Sequence, residues 1–211
     1  FLSNDAAVTV LEAETAIGYH ATGRSAAIFA PNYGKPTIRA LSAASLPFLS
    51  EPAGVSDSSL LSPRGLLTLA SENERAVLED HAAGADGVEL IAVSAAAQMV
   101  PVLNESAIAA AAYEAAPSDI DVDRFLQGLA RLLRANGGTI VTDAAATGIR
   151  RDGKTWRVTT RGGEYCAPVV INAAGAWADQ VAIMAGVRTT GLQALRRSAA
   201  LIPAPSGHQV G

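Results

Sequence analysis

The stretch Val169–Trp177, which reads Val-Val-Ile-Asn-Ala-Ala-Gly-Ala-Trp, carries the strongest indication of the fold. Its first residues are apolar and mostly β-branched, which predicts a buried parallel strand over Val169–Asn172. Three small residues then lead into a predicted helix that ends near Ala185. Small residues at such a junction leave backbone amides accessible beside a helix N-terminus, which suits a diphosphate. Tight packing between strand and helix explains the same residues equally well, and both explanations stay open.

A second apolar run lies near the start of the chain and ends in an acidic residue. Ala7–Leu11 reads as a buried strand, and Glu12 follows at its carboxyl end. An acidic residue at that position of a dinucleotide-binding fold can accept both ribose hydroxyls of an adenosine. A solvated loop glutamate is the alternative, which position alone does not exclude.

The loop that follows contains the run Gly-Arg-Ser-Ala-Ala over Gly23–Ala27. Small residues let the backbone approach a planar ligand closely, and an arginine can neutralise a phosphate or another negative charge. A surface arginine on a glycine-containing loop is the alternative. His20, His81 and His208 are scattered without the spacing of metal ligands, so the sequence predicts no metal site.

The rest of the chain alternates between helical and strand-like patterns. We predict one helix that starts at Pro36 and that Pro47 kinks or ends. A second follows the capping pair Ser71 and Glu74, and a third is capped by Ser94. A fourth covers Val122–Asn136. We predict strands at Leu66–Ala70, Leu90–Val93, Thr139–Thr142, Ala145–Arg151, Thr155–Thr160 and Ser198–Ile202, with a hairpin turn at Asp152-Gly153 and another turn at Gly162-Gly163. Ile108–Tyr113 fits a helix or a strand because its alanines favour neither.

Composition narrows the class of protein. The chain has 211 residues, of which 49% are hydrophobic and 17% charged, as in a globular protein. Its net charge of -4, without a basic cluster, argues against nucleic acid as a partner. The single cysteine, Cys166, and the lack of a long apolar run predict a cytoplasmic protein without a membrane-spanning segment. Phe1 is not an initiator methionine and no closing element precedes Gly211, so we expect an internal fragment.

The order and spacing of four blocks resemble the D-amino-acid oxidase-like (DAO) family of FAD-dependent oxidoreductases, which includes glycine and sarcosine oxidases. The blocks are Val8–Glu14, Gly18–Gly34, Asn172–Trp177 and Leu192–Ser198, and their spacing is most like the D-arginine dehydrogenase branch. The family carries a glycine-rich phosphate loop after its first strand. The motif G-x-G-x-x-G does not occur in this chain, so the resemblance implies that this strand and loop precede Phe1.

The resemblance implies a role for each matching residue. Glu12 would hold the adenosine ribose, and Arg24 would stabilise negative charge on the flavin. Tyr33 would lie on a mobile loop near the substrate. The other implied contacts with FAD are Thr22, Gly23, Arg24, Ser25 and Ala26 along the pyrophosphate and the isoalloxazine edge, Ala146 and Thr147 at the adenine, and Ala174, Gly175 and Trp177 at the middle of the cofactor.

The fold that follows is α/β, an FAD-binding Rossmann-like domain made of discontinuous segments with an inserted α+β substrate domain. We expect residues 1–45 and 118–190 in the FAD-binding domain and residues 46–117 and 191–211 in the substrate domain.

The implied activity is oxidation of the C–N bond of D-amino acids or related amines. Hydride transfer to the flavin would give an imine, which hydrolyses to a keto acid and ammonia. The strand after Gly65 has no carboxylate to pair with a cationic substrate, which favours a neutral or apolar one. Two alternatives stay open, namely FAD-dependent oxidation of a 2-hydroxy acid or polyol phosphate, and a catalytically incomplete fragment.

Overall fold

The computed structural model describes residues 2–196, 198 and 203, and the chain divides into two compact units. Within the described residues, the first unit combines residues 2–25 with 125–196 and 198, and the second comprises Ala26–Arg124 and residue 203. The strand predicted at Ser198–Ile202 falls mostly outside the described residues. The assignment of one domain to FAD and the other to substrate stays a prediction.

Helices and strands are interspersed along the described chain. The α-helices are α1 (Pro36–Ser50), α2 (Arg75–Ala83), α3 (Val93–Met99), α4 (Val122–Ala135) and α5 (Ala178–Met184). The strands are β1 (Thr9–Leu11), β2 (Ile28–Phe29), β3 (Leu61–Pro63), β4 (Leu66–Ala70), β5 (Val88–Ile91), β6 (Ala110–Glu114), β7 (Ser118–Ile120), β8 (Thr139–Val141), β9 (Ala146–Asp152), β10 (Thr155–Thr160) and β11 (Gly163–Ala167). The mixed α/β fold that we predicted is confirmed.

Parallel pairing of β1 with β8 organises the first unit, with Val10 opposite Ile140. Helix α4 precedes β8, and its apolar residues recur at helical spacing as predicted. The backbone N–H of Arg124 donates to Asp121 Oδ1 at 2.9 Å and so caps the start of the helix. The chain near its start is tied to the end of α4 because Asn136 Nδ2 donates to Asn4 Oδ1 at 2.7 Å.

An antiparallel sheet in the order β11-β10-β9 completes the first unit. Its hairpin turns at Asp152-Gly153 as predicted, and Gly153 adopts a φ of +61°, which only glycine takes without strain. Ile149 and Val158 lie opposite each other in this sheet and are both buried. The alternation of buried and exposed residues is typical of an antiparallel sheet with one covered face.

The prediction of a strand over Val169–Asn172 is wrong. None of the described strands pairs with these residues, and the side chains of Val169 and Ile171 are 68% and 62% exposed. A β-branched run forms a strand only where a neighbouring strand accepts its hydrogen bonds. The helix that follows starts later than its sequence suggests, because a 3₁₀ turn over Gly175–Trp177 precedes α5.

Three further boundaries differ from the sequence-based expectation. Pro47 lies inside α1, and the helix continues to Ser50 before it ends. Strand β5 begins two residues before Leu90, and α3 begins at Val93 without a side-chain cap, so Ser94 is not the cap residue. Boundaries depend on hydrogen bonds that local sequence specifies weakly.

The core of the second unit packs α2 against the sheet β4-β6-β5. Leu78 of α2 lies with Ala70, Ala110 and Ala112 in one buried cluster, and Val88 packs against it. The ambiguous segment Ile108–Tyr113 forms strand β6, because β4 and β5 both pair with it. Its small alanines allow the helix to approach the sheet closely.

A second sheet, in the order β2-β7-β3, joins the two ends of the same unit. Ile28 pairs with Asp119, and the N–H of Ile120 donates to the Ala27 carbonyl at 2.7 Å.

In the described part of the chain, no helix has both the length and the apolar character that crossing a bilayer requires.

Removal of the Leu78 side chain tests this core. We expect Leu78→Ala to lower the free energy of unfolding by about 2–4 kcal/mol, because a buried leucine leaves a cavity. Leu78 is 5% exposed, whereas its neighbour Val77 on the same helix is 71% exposed. Val77→Ala is the matched control and should change stability by less than about 0.5 kcal/mol in urea denaturation. Equal effects of the two substitutions would contradict this packing.

Candidate cofactor site

Glu12 lies at the carboxyl ends of the two parallel strands, β1 and β8. Its N–H donates to the Val141 carbonyl at 2.8 Å, and its own carbonyl accepts from the N–H of Ala144 at 2.8 Å. One carboxylate oxygen, Oε1, accepts from the N–H of Glu14 at 3.1 Å. Because both backbone and side chain are held, the carboxylate has a defined position at the edge where dinucleotides bind in α/β sheets.

The loop over residues 17–24 is a series of turns closed by two glycines. The N–H of Gly23 donates to the Gly18 carbonyl at 2.7 Å, and a β-carbon at Gly23 would collide with that oxygen. Gly18 adopts a φ of +76°. Both positions therefore require glycine, and the closure presents Thr22, Gly23, Arg24 and Ser25 as exposed residues.

Four side chains form a continuous stack across this loop and the turn before α5. The His20 ring packs on the Trp177 ring with centroids 4.6 Å apart, and Tyr19 meets His20 edge-on at 5.1 Å. The Arg24 guanidinium lies over the Tyr19 ring, 5.0 Å from its centroid. The stack brings Arg24 and Trp177, both predicted to contact FAD, into one cluster.

Glu14 joins this stack to the end of the parallel sheet. Its side-chain Oε1 lies 2.7 Å from His20 Nε2, and its carbonyl accepts from the N–H of Asp143 at 2.9 Å. Its N–H donates to Glu12, as described above. Glu14, Tyr19 and His20 were not among the predicted site residues, because a spacing of six residues in a loop does not reveal that two side chains meet.

The turn before α5 has accessible backbone at Gly175. Asn172 braces it, since its Oδ1 accepts from the N–H of Ala174 at 3.2 Å and its Nδ2 donates to the Ala178 carbonyl at 2.7 Å. Gly175 is exposed with a φ of +52°, and a β-carbon there would meet no atom within 4 Å. The turn thus leaves room for a ligand to approach the main chain.

The remaining predicted contacts lie in two settings, strand β9 and the second unit. Ala146 opens β9 opposite Thr160, and the Thr147 hydroxyl donates to the Thr159 carbonyl at 3.2 Å, so the hydroxyl proton is already committed within the sheet. Ala26 and Tyr33 belong to the second unit, where both are exposed.

The types of groups in the first unit suit FAD. Glu12 offers carboxylate oxygens to ribose hydroxyls, and Gly175 offers main chain without a bulky side chain. Arg24 forms no ion pair with any carboxylate in the described part of the chain, so its charge can serve an anionic ligand. The same unit thus supplies an acceptor for ribose, a cation and an aromatic surface, which a dinucleotide with a flavin ring requires.

Asp179 anchors the chain after α5. Its carboxylate accepts from the N–H and hydroxyl of Thr190, from the N–H of Gly191 and from the N–H of Leu192, each at 2.9 Å. These hydrogen bonds, those from Thr190 above all, hold the pKa of Asp179 below its ordinary value of 3.8. The segment toward Arg196 is therefore fixed to the helix that follows the Trp177 turn.

The fold of this chain is also found in solved structures of oxidoreductases. Glycine oxidase from Geobacillus kaustophilus aligns with a TM-score of 0.75 at 24% identity, over 87% of this chain and 53% of that one. L-alpha-glycerophosphate oxidase from Mycoplasma pneumoniae, solved with FAD bound, aligns with a TM-score of 0.77 at 18% identity, over 88% and 52%. L-proline dehydrogenase from P. horikoshii aligns with a TM-score of 0.70 at 23% identity, over 87% and 50%. The chain spans about half the length of each.

The family follows from the sequence match. The model of the DAO family, described as FAD dependent oxidoreductase, matches residues 2–210. The chain belongs to this family, and FAD is the family's cofactor. The resemblance that the four sequence blocks indicated is confirmed at the level of the family.

Neutralising Asp179 tests the anchor through its pH dependence. A lowered folded-state pKa stabilises the fold above the ordinary value of 3.8 and loses that contribution as pH falls through the lowered value. We expect Asp179→Asn to be less stable than the wild type at pH 7, with the difference shrinking on acidification. Urea denaturation between pH 7 and pH 3 measures this, with the exposed Asp57→Asn as control. A difference that stays constant with pH would contradict the role of the charge.

The contact between His20 and Trp177 can be followed by fluorescence. In a Trp156→Phe background Trp177 is the sole tryptophan, since the chain has two. We expect His20→Ala to shift its emission to longer wavelength because the indole loses its covering ring, and His20→Phe to shift it less. His81→Ala in the second unit should leave the spectrum unchanged. Identical spectra for all variants would show that the two rings do not stack in solution.

Proposed function

We propose that the natural protein is an FAD-dependent enzyme that oxidises the C–N bond of D-amino acids or related amines. The observation that carries this proposal is the family match over residues 2–210. Glycine oxidase and L-proline dehydrogenase, whose names specify amine substrates, are among the similar folds. The product of the oxidation would be an imine, which water hydrolyses to a keto acid and ammonia.

The redox chemistry belongs to FAD, which takes up the hydride of the substrate C–H bond when it is bound. In our proposal the protein binds FAD and orients the substrate against it. Glu12 holds the ribose, and the loop Thr22–Ala26 follows the pyrophosphate and one edge of the ring. Ala146 and Thr147 line the adenine, and the turn at Ala174, Gly175 and Trp177 lines the middle of the cofactor.

Two side chains carry the proposed catalytic roles. Arg24 supplies a positive charge where negative charge develops on the flavin ring, and a fixed cation stabilises such charge without reorganising. The stack on Tyr19 supports this role, because it holds the guanidinium without neutralising it. Tyr33, whose side chain is 62% exposed, contacts the substrate and orients its amine.

The substrate side chain is proposed to be neutral or apolar. Strand β4 reads Leu-Leu-Thr-Leu-Ala and offers no carboxylate to a cationic group. The buried carboxylate of the same sheet, Glu114, already accepts a hydrogen bond from Asn32. A cationic substrate would need an uncommitted carboxylate, since a buried charge without a partner is costly.

Oxidation of an alcohol is the second candidate. The similarity of the fold to L-alpha-glycerophosphate oxidase favours it, because the same cofactor arrangement can accept a hydride from a C–H bond beside oxygen. Under this alternative the substrate would be a 2-hydroxy acid or a polyol phosphate, and Arg24 would keep its role toward the flavin.

We also propose that the protein works in the cytoplasm. Cys166, the single cysteine, is a free and exposed thiol on β11, which suits a reducing compartment.

Anaerobic reduction of the flavin tests the activity directly. We expect the visible flavin absorbance of the natural protein to bleach with neutral D-amino acids, and more slowly with D-arginine or D-lysine. 2-Hydroxy acids and glycerol phosphate should leave it unchanged. Bleaching by these alone would favour the alcohol reaction, and a protein that takes up no FAD would contradict both.

A further inference from the structure

We propose that Asn32 and Glu114 are positioning residues that fix the segment carrying Tyr33. The inference rests on the role proposed above for Tyr33, and it adds the device that holds this residue. The second unit supplies every contact involved, since Asn32, Asp86 and Glu114 all belong to it.

Glu114 is a buried carboxylate at the end of a central strand. It ends β6 between Leu66 of β4 and Val88 of β5, and the residue is only 4% exposed. A carboxylate removed from water needs hydrogen-bond donors. Asn32 Nδ2 donates to Glu114 Oε1 at 2.6 Å, which is a short hydrogen bond to a buried carboxyl oxygen.

The Asn32 amide group is committed in one orientation. Its Nδ2 also donates to the Asp86 carbonyl at 2.8 Å, so both amide hydrogens are used. Both partners are acceptors, and turning the amide over would place its oxygen against two other oxygens. The side chain thus joins the segment before α1 to the turn before β5 and to the end of β6.

Tyr33 lies between this anchor and a second one. Its N–H donates to the Ala30 carbonyl at 3.1 Å, and the next carbonyl, of Gly34, accepts from Arg39 Nε at 2.9 Å. Gly34 has a φ of +86°, which turns the chain into α1. The backbone is therefore hydrogen-bonded on both sides of an exposed tyrosine.

Asn32→Asp tests the anchor without any ligand. The substitution removes both donors and places a second carboxylate against Glu114. We expect amide hydrogen exchange in residues 30–34, measured by mass spectrometry, to accelerate by about tenfold or more. Asn32→Ala removes the donors without added charge and should accelerate exchange less, and it serves if the aspartate variant does not fold.

A swapped pair provides the rescue. In Asn32→Asp combined with Glu114→Gln, the glutamine amide can donate to the new aspartate, so exchange in residues 30–34 should return toward the wild-type rate. Asn104→Asp is the matched control, because Asn104 acts through Oδ1, which accepts from the N–H of Ser106 and which aspartate also has. Unchanged amide exchange in both Asn32→Asp and Asn32→Ala would overturn the proposal. It would also be overturned if residues 30–34 exchanged as fast in the swapped pair as in Asn32→Asp.

Substrate kinetics separate this inference from the proposed function. If Tyr33 contacts the substrate, Asn32→Asp and Tyr33→Phe should both slow flavin reduction in the natural protein, and the swapped pair should recover it. If amide exchange is faster in Asn32→Asp but flavin reduction is normal in both Asn32→Asp and Tyr33→Phe, the anchor is supported and the role of Tyr33 is refuted. Slower reduction by Asn32→Asp with unchanged exchange would refute the anchor itself.

Discussion

The backbone hydrogen bonds that join Glu12 and Glu14 to the segment Val141–Ala144 are the constraint on which the candidate site depends. They extend the parallel pairing of β1 and β8 beyond the strands, at the edge where the chain turns away from the sheet. Because Glu14 is fixed there, its side chain can hold His20, and His20 in turn packs on Trp177. The hydrogen bond between Glu14 and His20 therefore orients the imidazole against the Trp177 ring.

Much of the fold was predictable where local sequence and tertiary structure agree. Helix α4 has its apolar residues at one spacing, and the hairpin has its glycine where the turn needs a positive φ. The prediction failed at Val169–Asn172, because a strand needs a partner and composition does not reveal one. Strand β6 could not be assigned for the opposite reason, since alanines accept either conformation and the neighbouring strands decide.

The site divides in the same way. The places of Glu12 and Arg24 in the fold could be predicted, because Glu12 follows a strand and Arg24 follows a glycine turn, whereas their roles toward FAD stay predictions. Contacts between residues that are far apart in the sequence could not be predicted. His20 meets Trp177, and Asn32 meets Glu114, across long stretches of chain whose path is set by packing. Glu12, Thr22, Ala174 and Gly175 keep their assigned roles as predictions, since their surroundings suit FAD by chemical type.

The pairing of β2 with β7 has a consequence for the order in which the chain folds. β1 is synthesised long before β8, and the whole second unit lies between them in sequence. Once Ile28 has paired with Asp119 and Ile120 has bonded to Ala27, the two flanking segments leave that unit side by side. The remaining loop between β1 and β8 is then much shorter, and its closure costs roughly 1 kcal/mol less. During synthesis, folding of the second unit therefore favours the later pairing of β1 with β8.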